Sequence, residues 1–343
     1  MSRPDSRKSH RVVVVNPLGG TLLHYTEALR ELLVATGCEA DIISFDEPSA
    51  SGASRQAWLV QYLRALWTAV RRLDRGGRLI VTWPVLGYWD FLFLAVAKVA
   101  GARPTVVLHD PEPLVHAVGY SAVPRWLARL TSPRSGLIVH SHAAHSVIET
   151  QSMGAMTTVL PHPVRNAAGR GDDDRRGRTV RVLGQFKPDR DTALLESIAA
   201  LRSGDVTLEV WGRGWPEISG WDVHEGFVSE QRLDELVRTA GAVLVPYRRF
   251  YQSGIAIRAL ECQVPFVGPR ASSLADLYDA SSPLLVPAEE VTDGSAWWRS
   301  IRAARAMTSS DLESAAREAS RRTVQAWRTW LLLSPPTDER GLQ

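Results

Sequence analysis

The chain has 343 residues, 45% of them hydrophobic, a formal net charge of +3 and two cysteines. Enough apolar residues are present for two ordinary cores, which excludes a disordered chain, and Cys38 and Cys262 match no metal or redox spacing, so no disulfide framework is implied and a reducing compartment is expected. Nearly all the positive charge is arginine, with only Lys8, Lys98 and Lys187 as lysines; no recognition motif or basic-aromatic run accompanies it, so nucleic acid is not an expected partner.

Met1 to His10 is polar and basic, and the apolar run after it, Val12 to Val15, is too short for a signal peptide. Phe91 to Ala100 contains Lys98 and is too short to span a bilayer. The expected location is the cytoplasm, with any membrane contact peripheral and at the inner face of the plasma membrane. Arg11 to Val15 predicts a strand, Thr21 to Thr36 a helix, Ala40 to Ser44 a strand and Gln56 to Leu73 a long helix. Leu79 to Thr82, Thr105 to His109, Gly136 to His140 and Thr157 to Leu160 predict further strands with helical segments between them, the pattern of a doubly wound parallel sheet. Between Pro161 and Arg178 the composition changes to Pro-His-Pro, a Gly-Arg-Gly stretch and a charge run, which marks a linker and makes His162 a linker residue. The alternation restarts with strands at Val180 to Gly184, Val206 to Trp211, Ala242 to Val245, Pro265 to Gly268 and Leu284 to Val286. Ser295 to Leu333 reads as almost wholly helical, with Trp297, Trp298, Trp327 and Trp330 on apolar faces suited to core packing. The expected division is a first domain over 1–165, a linker over 166–178, a second domain over 179–325, and a final helix and tail over 326–343 that packs back on the first domain.

The segment from Val243 to Gly268 carries the most chemistry. It reads as strand, polar turn with Arg248 and Arg249, helix opening at Ser253-Gly254-Ile255, and strand. Free N–H groups at a helix start attract phosphate, and Ser253 is a good N-cap. Glu261 lies eight residues on, about 12 Å at the helical rise, a reach that suits ribose hydroxyls. Capping alone for Ser253, and pairing of Glu261 with Arg258, are the structural alternatives.

Other clusters are open to two readings. His140, His142 and His145 invite a zinc reading, but a strand ending at His140 and a helix starting near Ala143 point them apart, and no metal is expected. The helix from Gln56 to Leu73 has Leu59, Tyr62, Leu66, Ala69 and Leu73 on one side, with Arg64, Arg71 and Arg75 forming a solvated face or a contact with anionic lipid headgroups. Trp83, Tyr88, Trp89, Phe91 and Phe93 crowd the next segment; Tyr88 and Trp89 are candidates for an acceptor pocket, with burial against the sheet as the alternative.

Together these segments resemble the nucleotide-sugar-dependent glycosyltransferases of GT-B architecture, and among them the retaining family-4 enzymes (glycosyl transferases group 1). The resemblance implies an α/β fold of two Rossmann-like domains facing across a cleft, with the sugar nucleotide on the second. Gly184-Gln185-Phe186-Lys187 through Arg190 corresponds to a Gly-Arg loop followed by a lysine, with Gln185 where arginine is usual and Arg190 where lysine is usual. Positive charge there neutralises a departing diphosphate. Val210-Trp211-Gly212-Arg213-Gly214 resembles the strand ending in Gly-x-Gly, and Phe227 and Val228 fall in the segment that contacts the base. Glu261 matches the second glutamate of a Glu-x7-Glu motif and implies a ribose contact; Ser253 stands in place of the first, which is associated with the transferred sugar. Gly19-Gly20 resembles a glycine-rich loop at the cleft, with a simple tight turn as the alternative. His109, with Asp110 after it, falls at a strand end near the reacting sugar, with a buried, hydrogen-bonded histidine as the alternative.

The resemblance implies transfer of a hexosyl unit from a nucleoside-diphosphate sugar to a hydroxyl acceptor, lipid-linked, polysaccharide or small, with retention and without a metal or other cofactor. An inverting enzyme using Asp110 or Asp90 as general base, or a relative that binds nucleotide sugar or a partner without catalysis, are the alternatives.

Overall fold

Val12, Val13, Val14 and Val15 have no solvent-exposed surface, so the strand that carries them is covered on both faces, the signature of a parallel sheet between two layers of helices. A computed structural model describes residues 11–112, 118–131, 136–165, 178–187, 190–202 and 204–332. The predicted linker lies outside the described residues, except for Arg178 at its end.

The described residues up to Pro163 and from Thr323 onward form one compact unit, and Val164–Arg322 form another. The first unit contains β1 (Arg11–Asn16), β2 (Glu39–Ser44), β3 (Arg78–Val81), β4 (Arg103–Val107), β5 (Leu137–Val139) and β6 (Thr157–Val159). They form one parallel sheet in the order β2-β1-β3-β4-β5-β6. Right-handed crossovers, the rule for parallel pairs, put the helix Leu23–Ala35 on one face and the helices Arg55–Arg72, Asp90–Val99, Ala122–Thr131 and His142–Thr150 on the other. On the first face Val12, Val14, Ile80, Val107 and Ile138 pack with Tyr25, Leu29 and Leu33 of the opening helix and with Trp327, Trp330 and Leu331 of the last one.

The second unit repeats the plan with β7 (Thr179–Leu183), β8 (Thr207–Gly212), β9 (Asp222–Glu225), β10 (Ala242–Leu244), β11 (Phe266–Pro269) and β12 (Leu285–Val286), parallel in the order β12-β11-β10-β7-β8-β9. Arg181, in the middle of β7, is buried and pairs with its β8 neighbour Glu209 at 2.7 Å, while its Nη1 donates to Leu236 O and Thr239 Oγ1. A charge in a strand interior is tolerated because it is paired with a carboxylate and further hydrogen-bonded.

The structure departs from the sequence reading at two elements. β9, an edge strand of Asp-Val-His-Glu, is too polar to announce itself by hydrophobicity. The tail is two helices, Gly294–Ala306 and Ser309–Leu332, rather than one run. A reciprocal cap makes the break: Asp311 Oδ2 accepts from the Thr308 amide at 2.7 Å, and Thr308 Oγ1 accepts from the Asp311 amide at 3.1 Å. Among the described residues no helix is long and apolar enough to cross a membrane.

Trp327 ties the last helix into the first unit: it is fully buried and its Nε1 donates to Pro161 O at 2.9 Å. Trp327→Ala should destabilise this unit by about 3–5 kcal/mol, read as a lower urea midpoint; a loss below about 1 kcal/mol would show that the indole is dispensable to the core.

Candidate functional site

In each sheet the strand order reverses once, between β1 and β3 and between β7 and β10. Loops leaving the carboxyl ends of the strands at such a reversal diverge to opposite faces and open a crevice, where ligands of open α/β sheets bind.

In the second unit the two loops at the reversal are sewn together. Arg190 and Tyr247 form an antiparallel bridge, the Asp191 amide donates to Pro246 O at 3.2 Å, and the Arg190 guanidinium lies 3.7 Å from the centre of the Tyr247 ring and 5.4 Å from that of Trp215. Arg190 Nη2 donates to Gln185 O at 2.9 Å, while its Nη1 has no hydrogen-bond partner. Desolvation lowers its pKa, but an arginine remains charged throughout the ordinary pH range. Arg248 pairs with Asp191 at 3.0 Å, and the same carboxylate caps the helix Thr192–Ala200. Gln185, Lys187, Arg248 and Arg249 are exposed beside this clamp. Gly212 is fixed by crowding: a Cβ on it would lie 2.2 Å from Gly184 O, which already accepts the Trp215 indole N–H at 2.7 Å. Trp215 and Asp191, absent from the sequence-derived candidates, are signalled only by an aromatic just after Gly-x-Gly and an acid just before a helix.

The helix Gly254–Glu261 starts as expected. Ser253 is buried and its Oγ accepts from the Ala256 amide at 3.3 Å, which leaves the hydroxyl proton to donate elsewhere. Gly254 is exposed with nothing within 4 Å of a built Cβ, and Ile255 is half-buried on the core. At the far end Glu261 is buried and its Oε1 accepts the Arg165 amide at 2.8 Å, whereas Arg258 pairs with Glu230 and with Asp234. Phe227 is 75% exposed beside the Arg213 guanidinium, 5.5 Å from its ring centre, and Val228 packs on the core.

In the first unit the reversal is flanked by Gly19-Gly20 after β1 and Trp83 after β3. Gly19 has φ +48° and a Cβ there would lie 2.0 Å from Asp46 Oδ1, the same oxygen that accepts the Gly20 amide at 3.2 Å. The turn is therefore already satisfied by a carboxylate, which disfavours an anion at the same amide. His109 is buried; its Nε2 donates to Thr82 O at 3.0 Å, and its ring lies against Tyr25 and stacks on Trp83, centroids 4.7 and 5.9 Å away. Asp110, half-buried, follows it.

His162 corrects the linker reading, because it is buried with His140 and Tyr25, ring centroids 5.0 and 5.1 Å away. The tautomers follow from the acceptors. His140 Nδ1 donates to Leu160 O at 2.9 Å, so its Nε2 accepts from the Tyr25 hydroxyl at 3.0 Å; His162 Nδ1 donates to Pro163 O at 2.7 Å. Tyr88 is buried, the alternative given for it, and its hydroxyl donates to Gln151 Oε1 at 2.9 Å, while Trp89 is half-buried. Asp90 has no exposed surface, and the Leu86 amide donates to its Oδ1 at 3.3 Å. Among the described residues no group of three or more His, Cys, Asp or Glu side chains is arranged to hold a metal ion; His142 is exposed and His145 pairs with Glu149 at 3.7 Å.

No protein-family model matches the chain, and no curated protein matches it in sequence. Its structure is similar to that of an alpha,alpha-trehalose-phosphate synthase (UDP-forming) from Burkholderia xenovorans in complex with glucose-6-phosphate, at 11% identity over 94% of this chain and 99% of that one, TM-score 0.59. Anabaena Alr3699/HepE in complex with UDP matches at 13% identity over 94% and 98%, TM-score 0.59. A trehalose-6-phosphate protein from E. coli bound with UDP-2-fluoro glucose matches at 12% identity over 95% and 100%, TM-score 0.60. The chain has the GT-B fold.

Within this fold burial shifts titratable groups of the first unit toward their neutral forms. Burial, and then the neighbouring imidazoles, hold His140 well below the ordinary histidine range; burial pushes His162 down to about 3 and pushes the Asp90 carboxyl up to about 7. Between pH 4.5 and 6 the unfolded chain binds a proton on His162 that the folded chain does not, so it makes stability fall as pH falls by about 1.4 kcal/mol per pH unit, and His140 acts in the same direction. Asp90 acts oppositely, being protonated when folded and ionised when unfolded over that range, and offsets about as much as His162 contributes. His162→Asn retains an N–H donor but removes one titration. It should lower the slope of unfolding free energy against pH by about one proton in urea titrations, and an unchanged slope would show that His162 is protonated in the folded chain.

Proposed function

We propose that the chain is a glycosyltransferase that moves a hexosyl unit from a nucleoside-diphosphate sugar to a hydroxyl acceptor with retention of configuration. The observation that carries this reading is the clamp at the β7/β10 reversal, where an arginine with an unpaired N–H is held against two aromatic rings between exposed cations. Fold relatives in complex with UDP and with UDP-2-fluoro glucose support the choice of donor class.

In this reading Arg190, Lys187 and Arg249 attract the diphosphate, with Arg248 anchored by Asp191 beside them. The amides and hydroxyl at the Ser253 helix start add donors for it. Glu261 takes the ribose hydroxyls, Gly212 lets the chain approach closely, and Phe227 with Val228 meets the base. His109 and Asp110, with the Gly19-Gly20 turn, serve the reacting sugar and the acceptor. Because cations and a helix dipole oppose the charge on the leaving diphosphate, the reaction needs no metal ion. A leaving phosphate oxygen takes the acceptor proton as the new glycosidic bond forms on the face the diphosphate departs from.

Titration calorimetry with UDP, GDP and ADP, each paired with its nucleoside, separates these roles. Arg190→Gln should weaken the preferred diphosphate about 10–100-fold, the range for a charge-assisted hydrogen bond, and leave the nucleoside unaffected. Glu261→Ala should weaken both. Equal losses for Arg190→Gln on nucleoside and diphosphate would sink the phosphate assignment, and full affinity in Glu261→Ala would sink the ribose one. NMR of the product anomer tests retention.

A further inference from the structure

We propose that the first unit docks on an anionic lipid bilayer through the outer face of three neighbouring helices, Arg55–Arg72, Asp90–Val99 and Ala122–Thr131. The proposal uses this unit alone and stands or falls independently of the donor assignment.

The crossovers put these helices side by side on one face of the sheet, with the middle one packed against each of the others. Their inward sides bury Tyr62, Leu66, Phe91, Leu94, Pro124 and Ala128. Their outward sides are also apolar. Val60 and Trp67 lie with Arg64 and Arg71 on one stripe at spacings of three and four, about half a turn away from the buried Tyr62, Leu66 and Ala69. Val96 and Val99 on the second helix and Trp126 and Leu130 on the third repeat the arrangement; Trp67, Val96, Val99, Trp126 and Leu130 are between 53% and 90% exposed.

Charge selects the occupant. The three helices carry Arg55, Arg64, Arg71, Arg72, Lys98, Arg125 and Arg129, and the single acid among their residues, Asp90, is fully buried. Asp74, just past the first helix, is followed by Arg75. The sequence as a whole has 37 acidic residues against 40 basic ones, so a face with no exposed acid on three helices is not a consequence of composition. An apolar surface ringed by cations suits a bilayer with anionic headgroups: the indoles and aliphatic groups enter the headgroup boundary while the arginine stems lie along it with their charges at the phosphates.

Flotation of the full chain with vesicles tests this. At 0.1 M salt it should bind phosphatidylcholine vesicles containing 30% phosphatidylglycerol at least about tenfold better than phosphatidylcholine alone, and the preference should weaken at 0.5 M salt. Two variants, Trp67→Ala with Trp126→Ala, and Arg64→Gln with Arg71→Gln and Arg125→Gln, should each lower binding about tenfold or more with unchanged melting temperature. No binding to anionic vesicles, equal binding to neutral ones, or wild-type binding by both variants would overturn the proposal. So would a dimer in sedimentation velocity without lipid that the tryptophan variant dissolves, since the face would then be a contact between copies.

Discussion

Parallel strands cannot be joined by hairpins; each connection must cross a face of the sheet and bury a helix there. Covering both faces of one sheet with connections of a single hand forces the strand order to reverse once, and the loops on either side of the reversal diverge. That constraint produces β1 beside β3 in the first unit and β7 beside β10 in the second. The groups singled out in each unit stand on those strand ends: Gly19 and Gly20 follow β1, the Thr82 carbonyl that orients His109 follows β3, Gly184 and Arg190 follow β7, and Tyr247 to Ser253 follow β10. The reversal also explains why the second unit needs a clamp. Its two loops have no ladder between them beyond the strand ends, so the bridge from Arg190 to Tyr247 and the pair of Asp191 with Arg248 hold them in register.

The two units handle buried polarity in opposite ways. Among its described residues the first buries three imidazoles, three phenols and a carboxyl, and desolvation pushes the His140 and His162 imidazoles down and the Tyr25 phenol and the Asp90 carboxyl up, each toward its neutral form. The second buries charges and pairs them, Arg181 with Glu209 and Arg258 with Glu230 and Asp234, and keeps further cations exposed at the clamp. A neutral, hydrogen-bonding surround fits a sugar hydroxyl, and a cationic one fits a diphosphate. Under the proposed reading the division of labour between acceptor and donor follows from this difference in electrostatics.

Most of the fold was legible because its strands are β-branched runs short enough to be read singly: Val12 to Val15 and Val243 to Val245 have no other plausible state. What escaped was set by contacts rather than by composition. β9 is polar because it is an edge strand, and only its pairing with β8 identifies it. The tail break was present in the sequence as Thr308-Ser-Ser-Asp311, a capping pattern hidden inside an otherwise continuous helical stretch. Pro161-His162-Pro163 looks like a linker in one dimension, yet His162 belongs to a core because Tyr25 and His140 arrive from elsewhere in the chain. Arg258 as a partner for Glu261 was a reasonable helical expectation, but Glu230 and Asp234 on a neighbouring helix take that arginine. For the candidate site, residue types and spacing put forward Arg190, Ser253 and Glu261, while the aromatic walls Trp215 and Tyr247 around the arginine became visible only once the loops were folded together.

Ser253 is where the chain leaves the pattern it otherwise resembles, and the local geometry gives the exchange a physical reading. A helix start prefers a short side chain that can fold back on its own amides, and Ser253 does so onto Ala256. A glutamate at the same position reaches past those amides and adds a negative charge next to any diphosphate held there. With serine the helix start stays uncharged apart from its dipole, and the nearest fixed charges on the neighbouring loop segment are Arg248 and Arg249, so the electrostatics favour a diphosphate more strongly than the glutamate version would. What is given up, in the proposed reading, is a charged acceptor for the hydroxyls of the transferred sugar. A serine hydroxyl can still accept or donate one hydrogen bond, but it cannot grip two hydroxyls at once as a carboxylate does. Under the proposed reading the exchange strengthens the hold on the leaving group and loosens the hold on the sugar, a balance that suits a donor site selective for the nucleotide and tolerant toward the sugar it carries.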